Sequence, residues 1–184
     1  MKTIVLFVFI VSKQEDKLKQ KSNSDMAYLY RLLRDDERPT VHGLSAKNPL
    51  AGYTVSEHIE NGSQPWFPGS QYISCSSDLN AVYSMGQDSV RSGHSKYIRI
   101  CVIHRASLKR DRNIQMVDTQ NLFLAKKLTP KAKRFTMKQK EVLVVGTIPT
   151  EYILDVHVIP FNFEPSQIVQ GRRRRCGPYG HMTR

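Results

Sequence analysis

The chain has 184 residues, 40% hydrophobic and 9% aromatic, which is enough apolar material for one domain with a core and excludes a wholly disordered chain. Its formal net charge is +12. That balance points to an anionic partner, whether nucleic acid, an acidic membrane, an acidic protein or a phosphate-bearing small molecule, and charge alone does not choose among them.

Met1-Lys2 followed by the apolar run 3–11 has the charged start and apolar centre of a secretory signal, and it is too short to span a bilayer as a helix. Residues 1–12 are therefore read as a signal peptide or hydrophobic N-terminal segment. No small-x-small cleavage pattern precedes Lys13-Gln14-Glu15-Asp16-Lys17, so a buried N-terminal strand is the alternative. Secretion is the favoured location, with a cytoplasmic or nuclear protein as the alternative. Residues 13–25 are polar and charge-mixed and read as a linker, which places the domain over 26–164.

Residues 27–34 are expected to form a strand that ends at Asp35-Asp36-Glu37-Arg38-Pro39. The period of two puts Tyr28, Tyr30, Leu32 and Arg34 on one face and Leu29, Arg31 and Leu33 on the other. An arginine in phase with leucines must reach a partner or the surface, because burying it unpaired is costly. The turn-rich stretch Gly43–Pro49 comes next, and then a short helix opened by the capping box Thr54/Glu57 and stopped at Gly62. His58 on that helix packs within the fold or lines a ligand cleft. A loop containing Trp66 leads to a strand at Gln71–Ser76, and a helix over 77–85 follows with Ser76 or Ser77 as its N-cap.

A strand is expected at 96–104. Cys101 and His104 on it are three apart and point to opposite faces, so they do not form a local nucleophile–base pair. Cys75, Cys101 and Cys176 have no C-x-x-C or Cys/His ligand spacing, so neither a disulfide framework nor a metal site is encoded. A basic turn at 109–112, an extended piece at 114–117 and a helix at 121–128 closed by Pro130 come next.

From the end of that helix to Glu141 the cations Lys126, Lys127, Lys131, Lys133, Arg134, Lys138 and Lys140 occur with no acidic residue among them. Such a run is ordinarily a solvated face, but here it leads to a carboxylate at the head of the short apolar strand Val142–Val145, which stops at Gly146 and Pro149. That acid is either a charge capping an edge strand or a site residue, and upstream partners decide which. A last strand is expected at 152–159. The tail 165–184, with Arg172–Arg175, reads as disordered and suits a localisation signal, an anion-binding arm or a processing site.

Taken in order, Tyr30-Arg31, Gly43–Pro49, Glu57–Ser63, Ser70–Ser76 and Gln139–Val144 with Ile148-Pro149 resemble an ADP-ribosyltransferase-like domain of the Arg-Ser-Glu class. The likeness covers about residues 28–160 and is strongest to domains at the ends of bacterial polymorphic toxins. It implies an α+β fold, a split β-sandwich of two small packed sheets with flanking helices and NAD in the cleft between them. The implied activity is NAD-dependent mono-ADP-ribosyl transfer or NAD hydrolysis. Cleaving the nicotinamide–ribose bond passes through an oxocarbenium-like ribose, which a nearby carboxylate stabilises. The resemblance gives that place to Glu141, gives Ser74 the role of orienting it, and gives Arg31 the grip on a phosphate or ribose, with Arg34 as fallback.

Ser76, Tyr72 and Gln139 complete the implied NAD-binding set, and Tyr72, Tyr83 and Trp66 are the candidates for stacking on nicotinamide. The acceptor is protein, nucleic acid or water, and 126–140 is expected to attract the NAD pyrophosphate or an anionic target. Two departures stand out: Ser74-Cys75-Ser76 replaces serine-threonine-serine, and Gln139 stands where a glutamate is common. Lys140, beside Glu141, is positioned in sequence to compete for the carboxylate. The alternatives are a catalytically inactive relative that binds nucleotides or nucleic acid through a basic cleft, and a secreted basic protein acting on membranes.

Overall fold

Alternation along the first strand sets up two cores at once. β1 (Tyr28–Leu32) sends Leu29 into one core, joined by Leu33 just past its end, and sends Tyr30 into the other with Tyr28 and Leu32 packed against it. This is the face division that the period of two predicts. The computed structural model describes residues 27–159. The N-terminal apolar segment, the linker, residues 160–164 and the tail with Arg172–Arg175 lie outside the described residues.

After β1 come α1 (Pro39–His42), β2 (Leu44–Ser45), α2 (Val55–Asn61), β3 (Tyr72–Ser76) and α3 (Leu79–Arg91). They are followed by β4 (Ile98–His104), α4 (Arg105–Arg110), β5 (Met116–Asp118), α5 (Leu122–Ala125) and α6 (Pro130–Gln139). The described chain closes with β6 (Glu141–Val145), β7 (Thr147–Ile148), a 3₁₀ turn at Thr150–Tyr152 and β8 (Ile153–Ile159). Gly146, with φ of 80°, takes the left-handed turn between β6 and β7 that an L side chain would resist.

Six strands form an antiparallel sheet in the order β5-β6-β3-β1-β4-β8, and β2 pairs with β7 separately. The fold is α+β. Its large sheet is itself divided: β3 pairs with β6 over five residues and β1 with β4 over five, whereas β1 and β3 share the single pair Tyr30–Ser76. The expected pair of small sheets thus takes the form of two three-stranded halves of one sheet, joined in the ladder at that single pair. One core, with Leu29, Ile73, Cys75, Cys101, Val142 and Ile148, lies on one side, and α3 covers the other. Helix α3 sits close because residue 86 is glycine; a Cβ there would stand 2.5 Å from Ile98 Cγ2.

Several local expectations are corrected. The N-cap of α3 is Asp78, whose carboxylate accepts the N–H groups of Asn80 and Ala81, and the helix runs to Arg91 rather than Met85. Pro130 opens a helix instead of closing one: at the first turn its missing N–H is no loss, and Thr129 caps the turn by accepting from Ala132 N–H. β6 is no edge strand, since β5 and β3 flank it. The Thr54/Glu57 capping box is present as expected, but Gly62 ends α2 in a right-handed conformation.

Candidate active site

The seam between the half-sheets is where the polar residues collect. Arg31 reaches into it from β1. Its Nη1 donates to the Ser74 carbonyl of β3 at 2.8 Å, while Nε and Nη2 donate to Glu37 Oε1 at 3.2 and 2.8 Å. Glu37 also accepts Arg34 N–H at 2.8 Å. The buried arginine therefore has the partner that its leucine-like phase requires, and it bridges two strands where their ladder has parted.

Tyr72, Ser74 and Ser76 alternate along one face of β3, the first two half-buried and Ser76 buried, and Ser76 lies opposite Glu141 in the ladder with β6. Glu141 is 6% exposed. Burial raises its pKa, and a hydrogen bond from Ser74 opposes that rise. Among the described residues no cation forms an ion pair with it. Lys140, its neighbour in sequence, has left-handed backbone with φ of 45° and places Nζ 2.9 Å from Asp78 Oδ2.

His58 joins this group from α2. Its Nε2 is 2.8 Å from Ser74 Oγ and its Nδ1 is 2.6 Å from Ser70 Oγ, which also accepts Tyr72 N–H at 3.2 Å. Burial, with the Arg31 charge adding to it, pulls the imidazole down to about 4, so the ring is neutral at pH 7. The directions follow from these partners. An ionised Glu141 only accepts, so Ser74 donates to it; Ser74 then accepts from His58 Nε2–H, and Nδ1 accepts from the Ser70 hydroxyl. One oriented chain runs from Tyr72 N–H through Ser70, His58 and Ser74 to the carboxylate. The sequence offered His58 only as a packing or cleft-lining residue; its spacing to the two serines is a tertiary fact.

The group opens onto a cleft of about 370 Å³ whose walls include Arg34, Lys47, Tyr72, Phe135 and Gln139. That is a volume suited to a small-molecule ligand. Of the stacking candidates, Tyr72 lines the cleft and packs against the His58 ring, with centroids 5.3 Å apart, while Tyr83 is buried in the core under α3. Trp66 is exposed and meets Phe67 edge-on. Ser76 is 2% exposed, donates to the Gln139 carbonyl at 2.5 Å and accepts Asp78 N–H at 2.9 Å. Its hydroxyl thereby ties the end of α6 to the start of α3.

Cys75 and Cys101 are buried on the core side, which pushes both thiols up to about 12 and leaves them poor nucleophiles. His104 binds Ser107 instead, at 2.6 Å. Among the described residues no three His, Cys, Asp or Glu side chains are grouped to hold a metal, and no helix is long and apolar enough to cross a membrane.

A family model described as "Domain of unknown function (DUF7587)" matches residues 9–162. No curated protein matches the chain. Among solved structures, one named EcPltA superposes with a TM-score of 0.54 at 15% identity, covering 73% of this chain and 83% of that one. At that identity the likeness carries the fold, an ADP-ribosyltransferase-like α+β arrangement.

Proposed function

The chain belongs to the family described as a domain of unknown function (DUF7587), a description without an activity, and from the site itself we propose an NAD-dependent mono-ADP-ribosyltransferase or NAD glycohydrolase. The observation that carries this reading is Glu141: a buried carboxylate, oriented by a serine and a neutral histidine, without a cation, at a ligand-sized cleft. EcPltA, an ADP-ribosyltransferase toxin subunit, lends it support through the shared fold.

In the proposed reaction the C1′–nicotinamide bond of NAD breaks with its electron pair passing to the ring nitrogen, and positive charge develops on the ribose. Glu141 is placed to stabilise that charge, which is absent from the ground-state ribose, so its contribution falls on the transition state. Ser74 holds the carboxylate in one orientation, and His58 holds Ser74. Arg31 has three of its five N–H donors engaged within the fold, which leaves two for a ribose or phosphate oxygen. Arg34 and Lys47 on the cleft wall suit the pyrophosphate. Water or an acceptor then takes the ribose.

The test is nicotinamide release from NAD by the purified chain, wild type beside Glu141→Gln, with and without a cell lysate. Glu141→Gln is expected to lower release at least about 100-fold, the scale of a lost electrostatic group. Release that rises with lysate identifies a transferase, and release without lysate a hydrolase. A folded wild-type chain that releases none, or release indifferent to Glu141→Gln, overturns the proposal in favour of a binding protein.

A further inference from the structure

Helix α6 carries a second chemistry beside the carboxylate. Lys131, Phe135 and Gln139 follow one another at intervals of four, lie along one helix face, and all line the cleft that contains Glu141. Phe135 is 43% exposed, an open aromatic ring on a polar helix. At 3.6 residues per turn Lys131, Arg134 and Lys138 fall within about 100° of Phe135 on one side, while Lys133 stands roughly 160° away. Lys131, Arg134 and Lys138 are exposed, and none forms an ion pair among the described residues. No acidic residue occurs between Asp118 and Glu141.

Cations alone would serve any polyanion, including an acidic protein. The ring set among them is the distinguishing feature. Single-stranded nucleic acid is held by this combination, with a base stacked on an aromatic face and flanking phosphates on Lys or Arg. A duplex keeps its bases in its own stack and has nothing to offer a phenyl ring at a cleft wall. The chain's net charge of +12 adds attraction for such a strand at long range.

We propose that the acceptor of the transfer is single-stranded nucleic acid, with one base on Phe135 and the adjoining phosphates on Lys131, Arg134 and Lys138. The binding stands on α6; the transfer rests on the function proposed above. In the transfer a nitrogen or oxygen lone pair of the strand forms the bond to ribose C1′ and the C1′–nicotinamide bond breaks. Neutral nicotinamide leaves with that electron pair, and the proton of the nucleophile passes to solvent.

The test is fluorescence anisotropy with labelled mixed-sequence single strands, DNA and RNA, of roughly twelve nucleotides, on the full chain. Three phosphate contacts give a log–log salt slope near −2, so affinity should fall about twentyfold between 50 and 200 mM salt. The triple change Lys131→Gln, Arg134→Gln, Lys138→Gln should remove most of that slope. Phe135→Ala should weaken binding about tenfold and leave the slope in place, because stacking is not electrostatic. Lys133→Gln should change affinity less than about twofold, as the cation on the far face. Loss shared equally by Lys133→Gln and the triple variant, or no binding, overturns the proposal.

A second arm follows label from adenylate-labelled NAD. Label on the oligonucleotide, abolished by Glu141→Gln while that variant still binds the strand, supports it. Label on lysate protein and not on the oligonucleotide overturns the acceptor class and leaves the transferase intact. A strand bound through α6 by a chain that releases no nicotinamide overturns the transfer chemistry instead.

Discussion

Glu37 and Glu141 are buried to nearly the same depth, 8% and 6% exposed, one just past β1 and the other at the head of β6, yet their surroundings are opposite in kind. Glu37 accepts from Arg31 Nε and Nη2, from Arg34 N–H, and has Arg34 Nη2 within 3.3 Å. Its charge is cancelled inside the chain. Glu141 has a hydroxyl for a partner and a cleft in front of it. Burying an uncompensated charge is unfavourable, so a carboxylate without an ion-pair partner among the described residues suits a positive charge brought by a ligand, as in the proposed reaction. The fold uses the first acid, and the proposed reaction uses the second.

The most forceful way to break this comparison is to remove each acid and measure stability. Glu37→Ala leaves Arg31 buried without its anion across the seam, and a loss of about 3–5 kcal/mol in unfolding free energy is expected from denaturant titration. Glu141→Gln should cost nothing at pH 7. The sign follows from linkage. Glu141 has a raised folded-state pKa, so its contribution to stability is fully present below the unfolded value and is lost as pH rises through the folded one; at pH 7 the folded state carries the penalty. A Glu141→Gln chain less stable than wild type at neutral pH would put Glu141 with Glu37 among the structural acids.

Much of this arrangement is legible in the sequence, and the part that is not has a physical reason. Strand phase alone places Arg31 on the leucine side of β1 and leaves it a partner or the surface; that it takes a partner, and that Glu37 supplies it, is seen only in the fold. Val142–Val145 bounded by Gly146 marks β6, and the capping box marks α2. His58 is different: it reaches Ser70 and Ser74 across 12 and 16 residues, and no local pattern encodes a contact between a helix and a strand at that separation. Pro130 misleads because a proline can follow the end of one helix or open the next, and here Thr129 before it caps the one that follows. The edge-strand alternative for Glu141 fails because the extended piece expected at 114–117 pairs with β6 as β5, a long-range pairing that no local pattern encodes.

His58 sharpens the comparison through pH. Its ordinary value of 6.5 applies to the unfolded chain and about 4 to the folded one. As pH falls through that window the unfolded chain takes up the proton first, so the stability that is complete above 6.5 is progressively lost down to about 4. Each pH unit corresponds to about 1.4 kcal/mol. Denaturant titrations of wild type and His58→Ala between pH 7 and pH 4.5 should therefore converge as pH falls. The same variant should reduce kcat about tenfold with little change in KM, as expected for a residue that positions Ser74 rather than touching substrate. Parallel stability curves would remove His58 from the hydrogen-bonded chain that ends at Glu141.

The smallest effect belongs to Lys140, and it tests whether sequence adjacency or geometry governs the carboxylate. An ammonium next to Glu141 in sequence reads as a competitor that would blunt the acid. The left-handed backbone at Lys140 breaks the strand's alternation before β6 begins and sends Nζ 2.9 Å from Asp78 at the start of α3, with the side chain 55% exposed. An exposed pair of this kind is worth less than about 1 kcal/mol, so Lys140→Ala should lower stability by no more than that. Nicotinamide release should stay within about twofold of wild type, because the charge removed is screened by solvent and turned from the cleft. A several-fold gain in release would mean that Lys140 does reach Glu141, and that the unpaired state of that acid is not what distinguishes it from Glu37.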